Sequence, residues 1–268
     1  MSEFRRRLMM AIGKVEEVSP YPPDYVDDGR LWGYATISEG GTYQVTDDQH
    51  AYWTDLEIDG VTATLDRNQY LTPGDHVIKI TMKTPATLLG IFRGRPIYTK
   101  IIVPSCVTTL GDYCFRETAA QIVLHKELIT TIGTQILFKA TGSIGDIDFP
   151  NLTTFSGHSN FNDYYGASQC KIKNLGSVTA IQMQGFRGFI PKDKTYLIPS
   201  TVTSIGQLAF YNGDYNLIYY CYPTTPPTLG SQAFQRTPLA IYVPAESVEA
   251  YKAASGWSTY ANVIQAIP

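Results

Sequence analysis

Phenylalanine recurs along the later part of the chain at an almost fixed interval. Phe92, Phe115, Phe138, Phe161, Phe186, Phe210 and Phe234 are separated by 23, 23, 23, 25, 24 and 24 residues. A unit of this length cannot bury an apolar face alone, so its copies must stack and share one core. Five or six residues before each Phe except the first stands an apolar partner: Leu110, Ile132, Phe155, Ile181, Ile205 and Leu229. A glycine follows directly in four of these, as Gly111, Gly133, Gly206 and Gly230. Proline precedes the Phe by eleven residues four times, as Pro104, Pro150, Pro199 and Pro223.

The trios Ile101-Ile-Val103, Ile122-Val-Leu124, Ile147-Asp-Phe149, Tyr196-Leu-Ile198 and Ile241-Tyr-Val243 read as short strands. Alternation sends the first and third side chains inward and the middle one outward. Proline closes the strand because it lacks an N–H for the ladder. The glycines are expected to hold a positive φ where the coil turns. Each Phe then closes the far side of its coil and stacks on its equivalents. The expected fold is a mainly β solenoid, with a parallel sheet of short strands and turn or short-helix returns. At about 4.8 Å per rung, seven or eight coils make a body roughly 35 Å long.

Around this core the chain divides into three. Residues 1–30 are a tail and linker. Phe4, Leu8, Ala11, Ile12 and Val15 have helical spacing, which allows either a docking helix for a partner or self-assembly through residues 1–18, or a solvated tail. Residues 31–83 read as a small antiparallel β unit, with Asp59-Gly60 as a hairpin turn, that caps the first coil and shields its edge. Residues 84–268 hold the repeats. Within them 245–268 form a closing cap, with a helical run after Pro244 and Trp257, Tyr260, Val263 and Ile264 over the last coil. The third and fourth units lack the usual glycine and have lengthened loops around 156–192, where binding is often placed in repeat proteins, although relaxed surface is equally compatible.

Val103-Pro-Ser-Cys-Val-Thr-Thr-Leu-Gly-Asp-Tyr-Cys-Phe115 and Ile198-Pro-Ser-Thr-Val-Thr-Ser-Ile-Gly-Gln-Leu-Ala-Phe210 resemble the BspA-like leucine-rich repeat of surface proteins from oral and gut anaerobic bacteria. The ending from Pro226 through Trp257 is similar to the closing segment of such proteins. The resemblance covers about 84–268. It implies a cell-surface adhesion or binding module that engages a host or bacterial protein or a glycan. Residues 1–13 offer no ordinary export signal, because Leu8–Ile12 is too short for a secretory apolar core. Their Phe-Arg-Arg-Arg opening is similar to proteins of phages and mobile elements, which makes a structural phage component the alternative.

The residues point to no reaction. The four histidines lack catalytic neighbours in sequence, and no P-loop, G-x-S-x-G or H-E-x-x-H occurs. A non-enzymatic protein without cofactor or metal is therefore expected. Cys106, Cys114, Cys170 and Cys221 lack metal spacing; a Cys106–Cys114 disulfide is conceivable, and small buried residues are the simpler reading. A net charge of −3 gives no electrostatic case for nucleic acid, and no apolar run is long enough for a membrane span. The candidate binding surface is the outward strand face. On the strand register expected for the repeats, it presents Lys100, Gln121, Asp146, Asp148, Lys171, Lys173, Leu197, Tyr219 and Tyr242, with Ile102, Val123, Thr195 and Cys221 among them. Asp146 and Asp148 would lie beside Lys171 and Lys173. That pairing fits either register-setting cross-strand pairs or a polar strip flanked by aromatic anchors.

Overall fold

The computed structural model describes residues 19–46, 52–212, 216–234 and 238–268. The expected helix over residues 1–18 lies outside them. Each repeat contributes one short strand to each of two parallel ladders. The outer ladder runs through Tyr98–Ile102, Gln121–Val123, Ile147–Asp148, Ile172–Asn174, Thr195–Ile198, Ile218–Cys221, Ala240–Val243 and Ile264–Ala266. The second uses the pairs ending in Leu88, Leu110, Ile132, Phe155, Ile181, Ile205 and Leu229. These are the apolar partners of the phenylalanines, and all but the half-buried Leu229 are buried. Rung-to-rung bonds such as Phe186 N–H to Ala209 O (2.8 Å) and Phe210 N–H to Ala233 O (2.8 Å) tie a third side of the coil.

The same bonds correct the third copy. Phe115 N–H donates to Ile136 O, and Leu137 N–H donates to Asn160 O, the residue before Phe161. Leu137 therefore holds the core position and is fully buried. Phe138 is turned outward, with the Arg116 guanidinium 4.9 Å and the Lys139 ammonium 5.3 Å from its ring centre.

The glycines also act differently from expectation. Positive φ in these turns belongs to Tyr113, Gln135, Gln184, Leu208 and Gln232, not to Gly111, Gly133, Gly206 or Gly230. The glycines are instead places where coils touch backbone to backbone. A Cβ on Gly206 would lie 2.5 Å from Met183 N, and one on Gly111 would lie 2.9 Å from Leu88 O. Absence of a side chain, rather than freedom of φ, is what the turn needs there.

The N-terminal strands are continuous with the repeats. Leu31–Ile37 runs antiparallel to Gly74–Met82 on one side and to Tyr98–Ile102 on the other. Trp53–Ile58 adds to Gly74–Met82 and turns through Asp59 (φ 52) and Gly60 (φ 82) into Val61–Thr62. The result is one six-stranded sheet that starts antiparallel and ends parallel at Gln121–Val123. Tyr98 lies under Gly33, where a Cβ would collide with its ring, and its hydroxyl donates to Val45 O at 2.5 Å.

At the other end a helix over Val248–Ala253 leads to Trp257, which is fully buried and donates from Nε1 to Pro227 O (2.7 Å). Tyr251 meets Trp257 edge-on at 4.9 Å, and Ile264–Ala266 adds a last parallel rung to Ala240–Val243. All four cysteines are free thiols; Cys114, Cys170 and Cys221 are buried and Cys106 half-buried.

The irregular middle units put their extra residues into the core. Tyr164, from one lengthened loop, is buried and donates to Gly142 O (3.0 Å). It stacks on Phe189 from the other loop at 6.0 Å. Asn160, also buried, donates to Gly133 O and to Ser156 O (3.0 Å). The ladders are interrupted here, between Phe155 and Ala180 and between Asn174 and Thr195. Added side chains fill the space that regular pairing leaves.

Candidate binding face

Strand alternation gives the outer ladder a core side and an outward side. The outward side has three zones. Over the first two coils, Ile102 and Val123 project outward yet are buried, at 0% and 7% exposure. They are covered by Trp32 and by the segment before it, whose Tyr21 and Tyr25 pack on the same cluster. Tyr21 and Tyr25 stack at 5.0 Å, and Tyr25 meets Trp32 edge-on at 5.3 Å. Residues 19–30, expected as linker, are thus a strap across the ladder. The Tyr21 hydroxyl lies 3.1 Å from His125 Nε2, and Lys100 donates to Pro20 O (3.3 Å). Asp27 accepts the Ser105 N–H at 3.1 Å. Burial pushes the Asp27 carboxyl up, but hydrogen bonds from Ser105 and the Gly29 N–H hold it below its ordinary value. Gln121 is exposed at the margin.

The middle zone is charged. Lys173 bonds Asp146 at 2.7 Å, and the Lys171 N–H donates to the same carboxylate at 2.9 Å. The Lys173 hydrogen bond, followed by that of Lys171, lowers the Asp146 carboxyl. The Lys171 side chain turns instead to Asp193 (3.5 Å). Lys126, missed in the sequence, reaches Asp146 O at 2.5 Å, and burial lowers the pKa of its ammonium. A shallow depression of about 450 Å³ opens between Lys126, Asp146, Asp148 and Lys173, where no strand pair joins Gln121–Val123 to Ile147–Asp148.

The third zone is aromatic and, among the described residues, bare, and here one assignment reverses. Tyr219 is 2% exposed; it stacks on Tyr196 (4.9 Å, 4°) and meets Phe210 and Phe234 edge-on. The outward residue is Tyr220, which pairs with Leu197 in the ladder and stacks on Tyr242 at 4.9 Å. Tyr222, 41% exposed, extends this column at 6.5 Å. The reason for the reversal is one extra residue. In four other coils proline directly follows the strand trio, as Pro104, Pro150, Pro199 and Pro244, but Tyr222 separates Tyr219-Tyr-Cys221 from Pro223. Counting back from proline therefore slips the register by one and exchanges the two faces. Cys221 turns inward for the same reason and is fully buried. The signal was present in sequence, because Tyr219-Tyr-Cys221 aligns with Tyr196-Leu-Ile198 when the aromatic is matched instead.

Among the described residues, no group of three or more His, Cys, Asp or Glu is placed to hold a metal ion. None of the described helices is long and apolar enough to cross a membrane. A search of curated proteins finds no match. Residues 89–217 and 157–253 match the BspA type leucine-rich repeat region in 6 copies. That span exceeds half of the 268 residues, and the coil geometry, the two strand ladders and the recurring core position agree with it: the chain belongs to the BspA-type leucine-rich repeat family.

Proposed function

We propose that the repeats form a solenoid that serves as a non-enzymatic binding module, with the outward strand face as its contact surface. The reading extends to a cell-surface adhesion role, with a host or bacterial surface protein or a glycan as ligand. The observation that carries it is the bare aromatic column of Tyr220, Tyr222 and Tyr242 beside Leu197. Leu197, Tyr220 and Tyr242 are half-exposed, and no side-chain hydrogen bond is seen for the three hydroxyls among the described residues. Amphipathic rings held rigid by stacking on a sheet are the anchors that interfaces favour. The charged middle zone would act as its polar rim, with Asp146, Asp148, Lys171 and Lys173 steering the approach. Gln121 and Lys100 lie at the strap end, outside this patch.

The test is binding of the intact protein to immobilised matrix proteins and a glycan array. Replacing Tyr220 and Tyr242 together by Ala should weaken capture at least tenfold, as the loss of two interface anchors would. Capture unchanged by that pair would sink the assignment of this face. Surface labelling of the native host cell with an antibody tests the adhesion role separately.

A further inference from the structure

The two apolar ends of the outward face differ in whether the described residues cover them. Over the first coils the strap Pro20–Asp28 lies across the ladder, and two features hold it. Aromatic rings cover the outward residues Ile102 and Val123. Two residues beyond Tyr25, the Asp27 carboxylate takes the Ser105 N–H (3.1 Å) at the turn that follows the strand.

The seats of both contacts recur at the bare end. Ser105 lies in a turn closed by Val107 N–H to Pro104 O at 3.1 Å; Ser200 lies in one closed by Val202 N–H to Pro199 O, also at 3.1 Å. Ser105 and Ser200 occupy the same position after their prolines and are both exposed. No acceptor for the Ser200 N–H is present among the described residues. Leu197, two residues before its proline, repeats the place of Ile102, and Tyr220 and Tyr242 continue the apolar surface on the next rungs. From Thr195 to Tyr242 the outward strand positions carry no carboxylate, and Lys173 and Lys171, one rung away, are paired with Asp146 and Asp193. A surface without carboxylates accepts one at the Ser200 N–H without like-charge repulsion, and the Asp27–Ser105 contact of the strap shows how the repeat holds it.

We propose that the bare face over Leu197, Tyr220 and Tyr242 binds an extended peptide segment bearing an aromatic residue and, two positions later, a carboxylate that takes the Ser200 N–H. The ligand is thus an acidic, tyrosine-bearing peptide, held as Tyr25 and Asp27 are held over the first coils. This rests on the outward face being the binding face, and it names the chemistry of its partner.

The probe is a fluorescein-labelled peptide with the sequence of residues 19–28, Ser-Pro-Tyr-Pro-Pro-Asp-Tyr-Val-Asp-Asp, titrated with the intact protein and followed by anisotropy. Saturable binding is expected. It should weaken about tenfold when the aspartate equivalent to Asp27 is Ala in the peptide, as loss of a charged hydrogen bond predicts. Ser200→Pro in the protein removes the N–H at a turn position that accepts proline. It should weaken the parent peptide to the same degree and leave the Ala peptide unchanged, while its melting curve and circular dichroism report that the fold is kept. Tyr220→Ala with Tyr242→Ala should weaken both peptides. Absence of saturable binding overturns the proposal, as does binding indifferent to Ser200→Pro. If the tyrosine pair weakens capture on matrix or glycan but no peptide binds, this inference alone falls. If the tyrosine pair alters neither, the face assignment falls with it.

Discussion

The coils before Leu137 and those after Phe161 are built to one repeat but filled differently. From Phe161 onward the core contains a column of parallel rings: Phe161 on Phe186 at 5.1 Å, Phe186 on Phe210 at 5.7 Å, and Phe210 on Phe234 at 5.5 Å. Tyr196 and Tyr219 form a second column, edge-on to the first, and Trp257 packs on Phe234 at the end of the first. Before Phe161 the column is broken by Leu137, and Phe92 instead meets Tyr98 edge-on at 5.1 Å. The early coils gain their closure from the six-stranded sheet and the strap; the late ones gain it from ring stacking. One backbone repeat thus accepts two kinds of core, because the ladder bonds are fixed by the main chain and only volume is asked of the side chain.

That contrast can be broken most forcefully at Phe186, which touches Phe161, Phe210, Phe189 and Tyr196. Phe186→Ala should cost about 3–5 kcal/mol, measured by chemical denaturation. A cost under about 1 kcal/mol would mean that the column is ornamental. The early half is sharpened by a pair of neighbours. Leu137→Ala should cost about 2–5 kcal/mol, whereas Phe138→Ala, at a half-exposed site, should cost under about 1 kcal/mol. The reverse order would restore Phe138 to the core. Gly206→Ala, where a Cβ meets the backbone of Met183, should cost about 1–3 kcal/mol by forcing the coils apart.

The smallest effect belongs to the strap. The folded Asp27 carboxyl is held below its ordinary value, so its contribution is complete above about pH 4 and is lost as pH falls through the lower folded value. Protection factors of the amides of residues 21 and 24–28, corrected for the intrinsic pH dependence of exchange, should be lower at pH 3 than at pH 6, and Asp27→Asn should flatten that difference. The stability change should be below about 1 kcal/mol. Protection that ignores pH would show that the rings alone hold the strap.

Much of this was legible in the sequence, and its failures have physical causes. The period, the apolar partners of the second ladder and the strand trios follow from residue type, because burial selects them directly. Phe138 misleads because two apolar residues in succession, Leu137 and Phe138, leave the period intact under a shift of one. Tyr219 misleads because proline marks the start of the turn, and an inserted Tyr222 changes its distance from the strand. A glycine looks the same in sequence whether it is needed for φ or for contact. The strap was hidden for another reason: its rings dock through tertiary contacts that have no period, so its composition reads as linker.

The sheet joining Leu31–Ile37 to Tyr98–Ile102 has a consequence for how such a chain can change in size. An antiparallel strand seals one end of the outer ladder, and the strand Ile264–Ala266 with its helix occupies the other. Whole coils can therefore be gained or lost only between these ends. Each one inserted would move the two termini apart by about 4.8 Å while leaving both closures as they are. Coil number acts as a ruler, setting how far the aromatic face stands from the six-stranded sheet.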